Sequence, residues 1–223
     1  IHILNSNEIY ESDKDNSILT SDVESMYPNN MINYKTFRYL DVLETFKETK
    51  DERIVAKKQG DKGKDATYKL ILNSTSGLID SPFSWLYYPE GAMKLRLMGQ
   101  LVITKVIEEV VLANFKLIGA NTDGVEVIVP NHRKDEYYKI IDNVGKYFDL
   151  KFEHEKYQKI VYANVNGYIA ILESGKTKKK GAFFITTADL GSSCNSLIMP
   201  LALEEYYING TKIEDFIKSQ KNI

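Results

Sequence analysis

The sequence predicts an α+β fold, in which an antiparallel sheet carries helices on one face. Three observations lead there. Short runs suited to strands recur at 18–20, 115–130 and 151–184. Stretches with apolar residues at three and four spacing stand between them, at 35–79, 91–114 and 132–148. The run FKLIGANTDGVEVIVP sets a polar, Gly-containing turn between two apolar segments, the pattern of a β-hairpin.

Residues 1–16 are polar with little periodicity and read as an irregular or short-strand lead-in. Ile18, Leu19 and Thr20 then run into a carboxylate, Asp22, and the Tyr27-Pro28 pair that follows is expected to break regular structure. From 35 to 79, TFRYLDVLETFKETK and YKLILNSTSG form an antiparallel helical pair, with QGDKGKD as its turn. GAMKLRLMGQLVITKVIEEVVLAN, 91–114, is a long helix with an apolar stripe. After the hairpin comes an amphipathic helix at 132–148. The runs KFEHE, KIVYANV, YIAILE and GAFFIT read as strands, and two helices divided by Asn209-Gly210 close the chain.

With 223 residues, 43% hydrophobic and 27% charged, the chain has the composition of a globular protein able to bury a core. Its one cysteine, Cys194, excludes an internal disulfide framework and a thiolate zinc cluster, fits a reducing interior, and reads as a buried thiol. No apolar run reaches membrane-spanning length, so no membrane partner is expected. The net charge of −2 is unevenly spread. Residues 1–34 hold six acids and one Lys, whereas 44–69 are rich in Lys and Arg and 176–180 read KTKKK. Such a layout suits divalent cations on carboxylates and a polyanion on lysines. The absent initiator Met and abrupt ends suggest a piece of a longer chain.

Taken singly, the chemistry-bearing residues have ordinary explanations. Asp22 fits a loop acid, and Asp123 in GANTDG fits a common turn. Together they offer carboxylates from separate strands, the arrangement that phosphoryl transfer by two divalent ions needs. Mg²⁺ takes only one or two protein carboxylates besides substrate phosphates, so the pair suffices. On a helix, Lys69 and Asn73 share a face, as do Arg53 and Lys57 on the opposite helix of the pair, and these donors would suit a triphosphate.

Three stretches together resemble the polymerase motifs of family B DNA polymerases. DVESMYP (22–28) resembles D-x-x-S-L-Y-P, KLILNSTSG (69–77) resembles K-x-x-x-N-S-x-Y-G, and NTDG (121–124) resembles the D-T-D-S hairpin. Their order and spacing match, and the later Lys159-x-x-Tyr162 and Lys180-Gly181 are similar to segments that contact primer-template. The short segment between the first two motifs gives the resemblance a phage flavour, including the protein-primed type. The resemblance implies a palm with a ferredoxin/RRM-like sheet and a short inserted helical fingers subdomain. Palm would occupy 1–34 and 80–184, fingers 35–79, and the start of a thumb 185–223. A proofreading exonuclease has no room in this segment.

By resemblance, Asp22 and Asp123 would be catalytic and, with the Val23 carbonyl, would bind two Mg²⁺, with Mn²⁺ as a substitute. Tyr27 would lie under the deoxyribose and exclude a 2′-hydroxyl. Arg53, Lys57 and Lys69 would hold the dNTP, with Asn73 and Gly77 lining the nascent base pair. Lys159, Tyr162, Lys179 and Lys180 would track the DNA primer-template. The implied reaction is attack of a primer 3′-hydroxyl on the α-phosphate of a dNTP. Implied partners include a terminal protein or other replication proteins, and the implied place is the cytoplasm of a phage-infected bacterium. The departures are Asn121 for the first Asp, Gly119 for Tyr, Gly124 for Ser, and Ser76 for the Tyr of the second motif. Alternatives are a degenerate palm that binds DNA without catalysis, an RNA-templated palm enzyme, and a ferredoxin-like nucleic-acid-binding domain without metal chemistry.

Overall fold

The computed structural model describes residues 2–5, 9–181, 183–184 and 197–220, so Cys194 and the start of the expected thumb lie outside the described residues. The chain divides into two compact units. One comprises 1–22, 107–140 and 154–223; the other comprises 23–106 and 141–153.

The first unit is built on a sheet. Its strands are β1 (Ile3–Leu4), β2 (Ile9–Glu11), β3 (Asn16–Val23), β4 (Lys116–Ala120), β5 (Gly124–Pro130), β6 (Phe152–Asn164), β7 (Gly167–Leu172) and β8 (Thr177–Lys180). Their spatial order is β1-β4-β5-β3-β6-β7-β8, and β2 pairs with β6. β3 is central and almost wholly buried, which explains why its sequence does not simply alternate. Its buried hydroxyls have partners: Ser17 Oγ donates to Asn131 Oδ1 at 2.6 Å, and Ser21 Oγ lies 2.7 Å from Tyr137 Oη and 2.8 Å from His154 Nδ1.

One face of the sheet gathers Tyr10, Ile18, Ile118, Tyr157, Ile160, Tyr162 and Ala170. Because side chains alternate, Thr20 and Asp22 share that face with Ile18, and Glu126 joins them as the register partner of Thr20. The opposite face takes helices. Tyr137 of α5 (Lys134–Phe148) meets Ser21 there, and Leu203, Tyr207 and Ile208 of α6 (Ile198–Asn209) pack on Val161 and Ile169. The expected α+β class with helices on one face therefore holds.

The second unit is helical: α1 (Met26–Asn33), α2 (Leu40–Gln59), α3 (Lys62–Leu78) and most of α4 (Pro89–Leu112). Its core joins Met31, Phe37, Leu43, Phe46, Leu72, Ile79, Ala92 and Leu95. The turn between α2 and α3 narrows to Gly60 and Asp61. Gly60 takes a left-handed φ of 73°, and Asp61 Oδ1 accepts from the Lys64 N–H at 3.0 Å as the N-cap of α3. A short final helix, α7 (Ile213–Ser219), follows α6 in the first unit.

Several local expectations need correction. Pro28 does not break the chain; it sits in the first turn of α1, where backbone N–H groups have no intrahelical partner to lose. KFEHE and KIVYANV are one strand, β6, carried past its irregularities by shifts of register against β7. Of GAFFIT, the described residues Phe183 and Phe184 form a turn, not a strand. Residues 36–39 precede α2 instead of belonging to it.

The buried face of α3 yields a paired test. Leu72 is fully buried and Leu70 is 70% exposed on the same helix. Leu72→Ala is expected to lower unfolding free energy in urea by about 2–5 kcal/mol and Leu70→Ala by less than about 0.5 kcal/mol. Equal losses would mean that the helix faces are misassigned.

Candidate metal and nucleotide site

The register of β3 against β5 sets the geometry. Asp22 lies directly across from Gly124, the residue after Asp123, so the two acids stand at one end of neighbouring strands. Asp123 is exposed in the turn. Asn121 shapes that turn: its Oδ1 accepts from the N–H groups of both Asp123 and Gly124 at 2.9 Å, while its own N–H donates to the Gly124 carbonyl at 2.9 Å. The Asn121 departure thus has a structural use. So does Gly124, since a Cβ there would fall 1.8 Å from Asp22 Oδ1 and would turn that carboxylate aside.

Electrostatics mark the same corner. Burial, followed by the charges of Asp123 and Glu155, pushes Asp22 up to about 6, against the pull of Lys178 and a hydrogen bond from Thr20. Sequence reasoning passed over a third acid, Glu126, which is 5% exposed in β5. Burial, then Asp22 and Asp123, push it up to about 7 against the pull of Lys180. Its signal was legible as one acid inside the apolar run GVEVIVP. Burial first, then the Glu126 charge, also raise the phenols of Tyr162 and Tyr168, the latter to about 12.

The basic run after β7 divides by strand alternation. Lys178 and Lys180 point to one face, Lys179 to the other. Lys178 pairs with Glu155, whereas Lys179 Nζ bonds Glu204 Oε2 of α6 at 2.7 Å. Lys178, not singled out from the sequence, therefore stands nearer the acids than Lys179. Lys159 pairs with Glu11 at 2.9 Å. Tyr162 is buried at 7% exposure, stacked edge-on with Tyr10 and Tyr168.

The other expected residues belong to the helical unit. Val23 ends β3, with its side chain buried. Tyr27 of α1 is half-buried against the core. Arg53 Nε donates to Asp65 Oδ1 at 2.9 Å across α2 and α3, and its Nη1 reaches Ser25 Oγ at 3.5 Å. Lys57, Lys69, Asn73 and Gly77 are exposed on these helices. A side chain at Gly77 would meet nothing within 4 Å, so intrachain packing does not require glycine there.

A comparison with solved structures places this arrangement. Over 97% of its length the chain superposes on the family B DNA polymerase of the archaeon Pyrobaculum calidifontis, with a TM-score of 0.60 and 14% identity. The fold is similar to that of a family B polymerase. The chain spans 33% of that polymerase's length. No family model matches the sequence, and no curated protein matches it.

Among the described residues, no group of three or more His, Cys, Asp or Glu side chains could hold a metal ion, and no helix is long and apolar enough to cross a membrane. Two carboxylates at one strand end, one of them held well above its ordinary pKa beside the other, fit a cation that completes its shell with substrate oxygens.

The raised Asp22 gives a sign-specific prediction. Its folded pKa lies above the unfolded value, so its protonated form stabilises the fold at low pH and that contribution is lost as pH rises through about 6. Asp22→Asn in metal-free buffer is expected to stabilise the fold by about 2 kcal/mol near pH 8, and the gain should fade toward about pH 4. A gain independent of pH in urea titrations would refute this origin.

Proposed function

We propose that the chain is the catalytic segment of a template-directed DNA polymerase of family B type, joining dNTPs to a primer 3′-hydroxyl. The observation that carries this reading is the pairing of Asp22 with Gly124, which sets Asp22 beside Asp123 at one end of the sheet. Similarity to an archaeal family B polymerase supports it, as do the motif-like stretches around Asp22, Asn73 and Asp123.

In this reading Asp22 and Asp123, with the Val23 carbonyl, hold two Mg²⁺ or Mn²⁺ ions. Bound there, the cations would supply charge neutralisation at the attacking hydroxyl and the departing pyrophosphate. The chain itself contributes position and charge. Arg53, Lys57 and Lys69 bind the triphosphate; Arg53 brings a fork already oriented by Asp65. Tyr27 excludes the 2′-hydroxyl. Asn73 and Gly77 line the base-pair pocket, and an exposed helical glycine with no intrachain packing reason suits close approach of a ligand. Lys159, Tyr162, Lys179 and Lys180 follow the primer-template backbone. Asp22, raised by burial, would have to give up its proton to hold a cation, so metal binding there would weaken as pH drops below about 6. A phage enzyme of the protein-primed kind, working with a terminal protein in the cytoplasm of an infected bacterium, is the finer form of the proposal.

One set of observations favours a second reading, a palm that binds DNA without catalysis. Arg53, Lys159 and Lys179 are each paired with a carboxylate of this chain, and Asn121 and Ser76 stand where the resembled motifs carry Asp and Tyr.

Primer extension by the full-length protein with labelled template and Mg²⁺ separates the two. The wild type is expected to extend the primer, and Asp22→Ala and Asp123→Ala are each expected to reduce the rate by about a thousandfold or more. Extension that survives both substitutions removes these residues from the chemistry. Duplex binding without extension by the wild type supports the second reading.

A further inference from the structure

Four half-buried lysines of β6 and β8 each meet a carboxylate: Lys156 pairs with Glu173, Lys159 with Glu11, Lys178 with Glu155 and Lys179 with Glu204. Lys50 of α2 does not follow them. It is half-buried too, but its ammonium donates to Asn29 Oδ1 of α1 at 2.5 Å, a neutral acceptor, and no carboxylate pairs with it among the described residues. Asn29 cannot supply the missing charge, and its Nδ2 is spent on the Glu24 carbonyl at 2.7 Å.

Position on α2 gives this cation company. Leu43, Phe46, Lys50, Arg53 and Lys57 recur at three and four spacing, so they form one stripe. Its first two members lie in the core of the helical unit, and the stripe turns cationic from Lys50 onward. Arg53 reaches the same turn of chain as Lys50, its Nη1 meeting Ser25 Oγ at 3.5 Å, but Asp65 offsets its charge. The Lys50 charge therefore stays uncompensated at the seam of α1 and α2. Half-burying a cation without an opposite charge costs stability, and the same excess charge attracts an anion. From Lys50 to Lys57 the helix rises about 10 Å, so a chain of phosphates can meet all three cations where a single phosphate cannot.

We propose that Lys50 is a further phosphate-binding residue: held ready by Asn29, its ammonium takes one end of a polyphosphate chain that Arg53 and Lys57 also grip. That this chain is the triphosphate of a dNTP rests on the polymerase reading above.

The test is calorimetric titration of the full-length protein with inorganic tripolyphosphate, and with inorganic phosphate beside it. Lys50→Met keeps the apolar stem and removes the charge; it is expected to weaken tripolyphosphate binding about tenfold with an unchanged or higher Tm. Lys50→Gln, which keeps a donor for Asn29 but no charge, is expected to lose as much, and Lys50→Arg to stay within about threefold of wild type. Lys58, exposed and off the stripe on the same helix, controls for general electrostatics, and Lys58→Met should change affinity less than about twofold. In primer extension, Lys50→Met is expected to raise the KM for dNTP about tenfold and to leave kcat within about threefold.

Wild-type affinity in Lys50→Met overturns the proposal, as does an equal loss in Lys58→Met. A loss in Lys50→Met that Lys50→Gln does not share overturns it in favour of a strut that merely holds Asn29. Inorganic phosphate bound as tightly as tripolyphosphate overturns the polyphosphate chain. Should Lys50→Met not fold, Lys50→Gln decides. A wild type that binds tripolyphosphate through Lys50 but extends no primer removes the polymerase chemistry and leaves this proposal standing; extension with an unaltered dNTP KM in Lys50→Met removes this proposal and leaves the chemistry.

Discussion

The register between β3 and β5 is the constraint on which the candidate site depends. The ladder from Asn16–Pro130 to Asp22–Gly124 is unbroken, so the pitch of the two strands, not a flexible loop, decides where Asp22 ends up. A slip by one residue would send Asp22 through to the helix-covered face and Ser21 to the other. Burial on both sides resists that slip. Ile18 belongs to the tyrosine-rich face, while Ser21 is held on the opposite face by Tyr137 and His154. Glycine at 124 then leaves room for the Asp22 carboxylate, and the Asn121 amide holds the turn that carries Asp123.

Charge on this face is arranged around the acids. Burial, then the Asp123 charge, raise Asp22, and burial, then the Asp22 charge, raise Glu126, while Lys178 and Lys180 of β8 pull the two back. Lysines on the alternate positions are committed elsewhere, Lys179 to Glu204 and Lys159 to Glu11. A stretch that reads as a uniform basic run in the chain is therefore two different surfaces in the fold.

The two compact units divide the expected roles. The sheet unit holds Asp22, Asp123 and the expected DNA-contacting residues, and the helical unit holds the expected triphosphate and base-pair residues on α1, α2 and α3. Within the helical unit, Arg53 is oriented by Asp65, and Lys57, Lys69 and Asn73 remain exposed.

By itself the sequence determined the α+β class, the helical pair and the hairpin with Asp123 in its turn, because periodicity and turn chemistry are local properties that neighbouring residues express together. It also determined that an acid sits inside the apolar run of β5, though nothing local says what that acid faces. Tertiary structure decided the rest. Pro28 could enter a helix only because it fell in the first turn, and the two runs of β6 became one strand only by shifting register against β7. Whether Lys178 or Lys179 faces the carboxylates follows from pleat and pairing, as does the convergence of Gly119, Glu126 and Tyr162 from three strands. Contacts between residues distant in the chain are set by register and burial, which the linear order of residues does not contain.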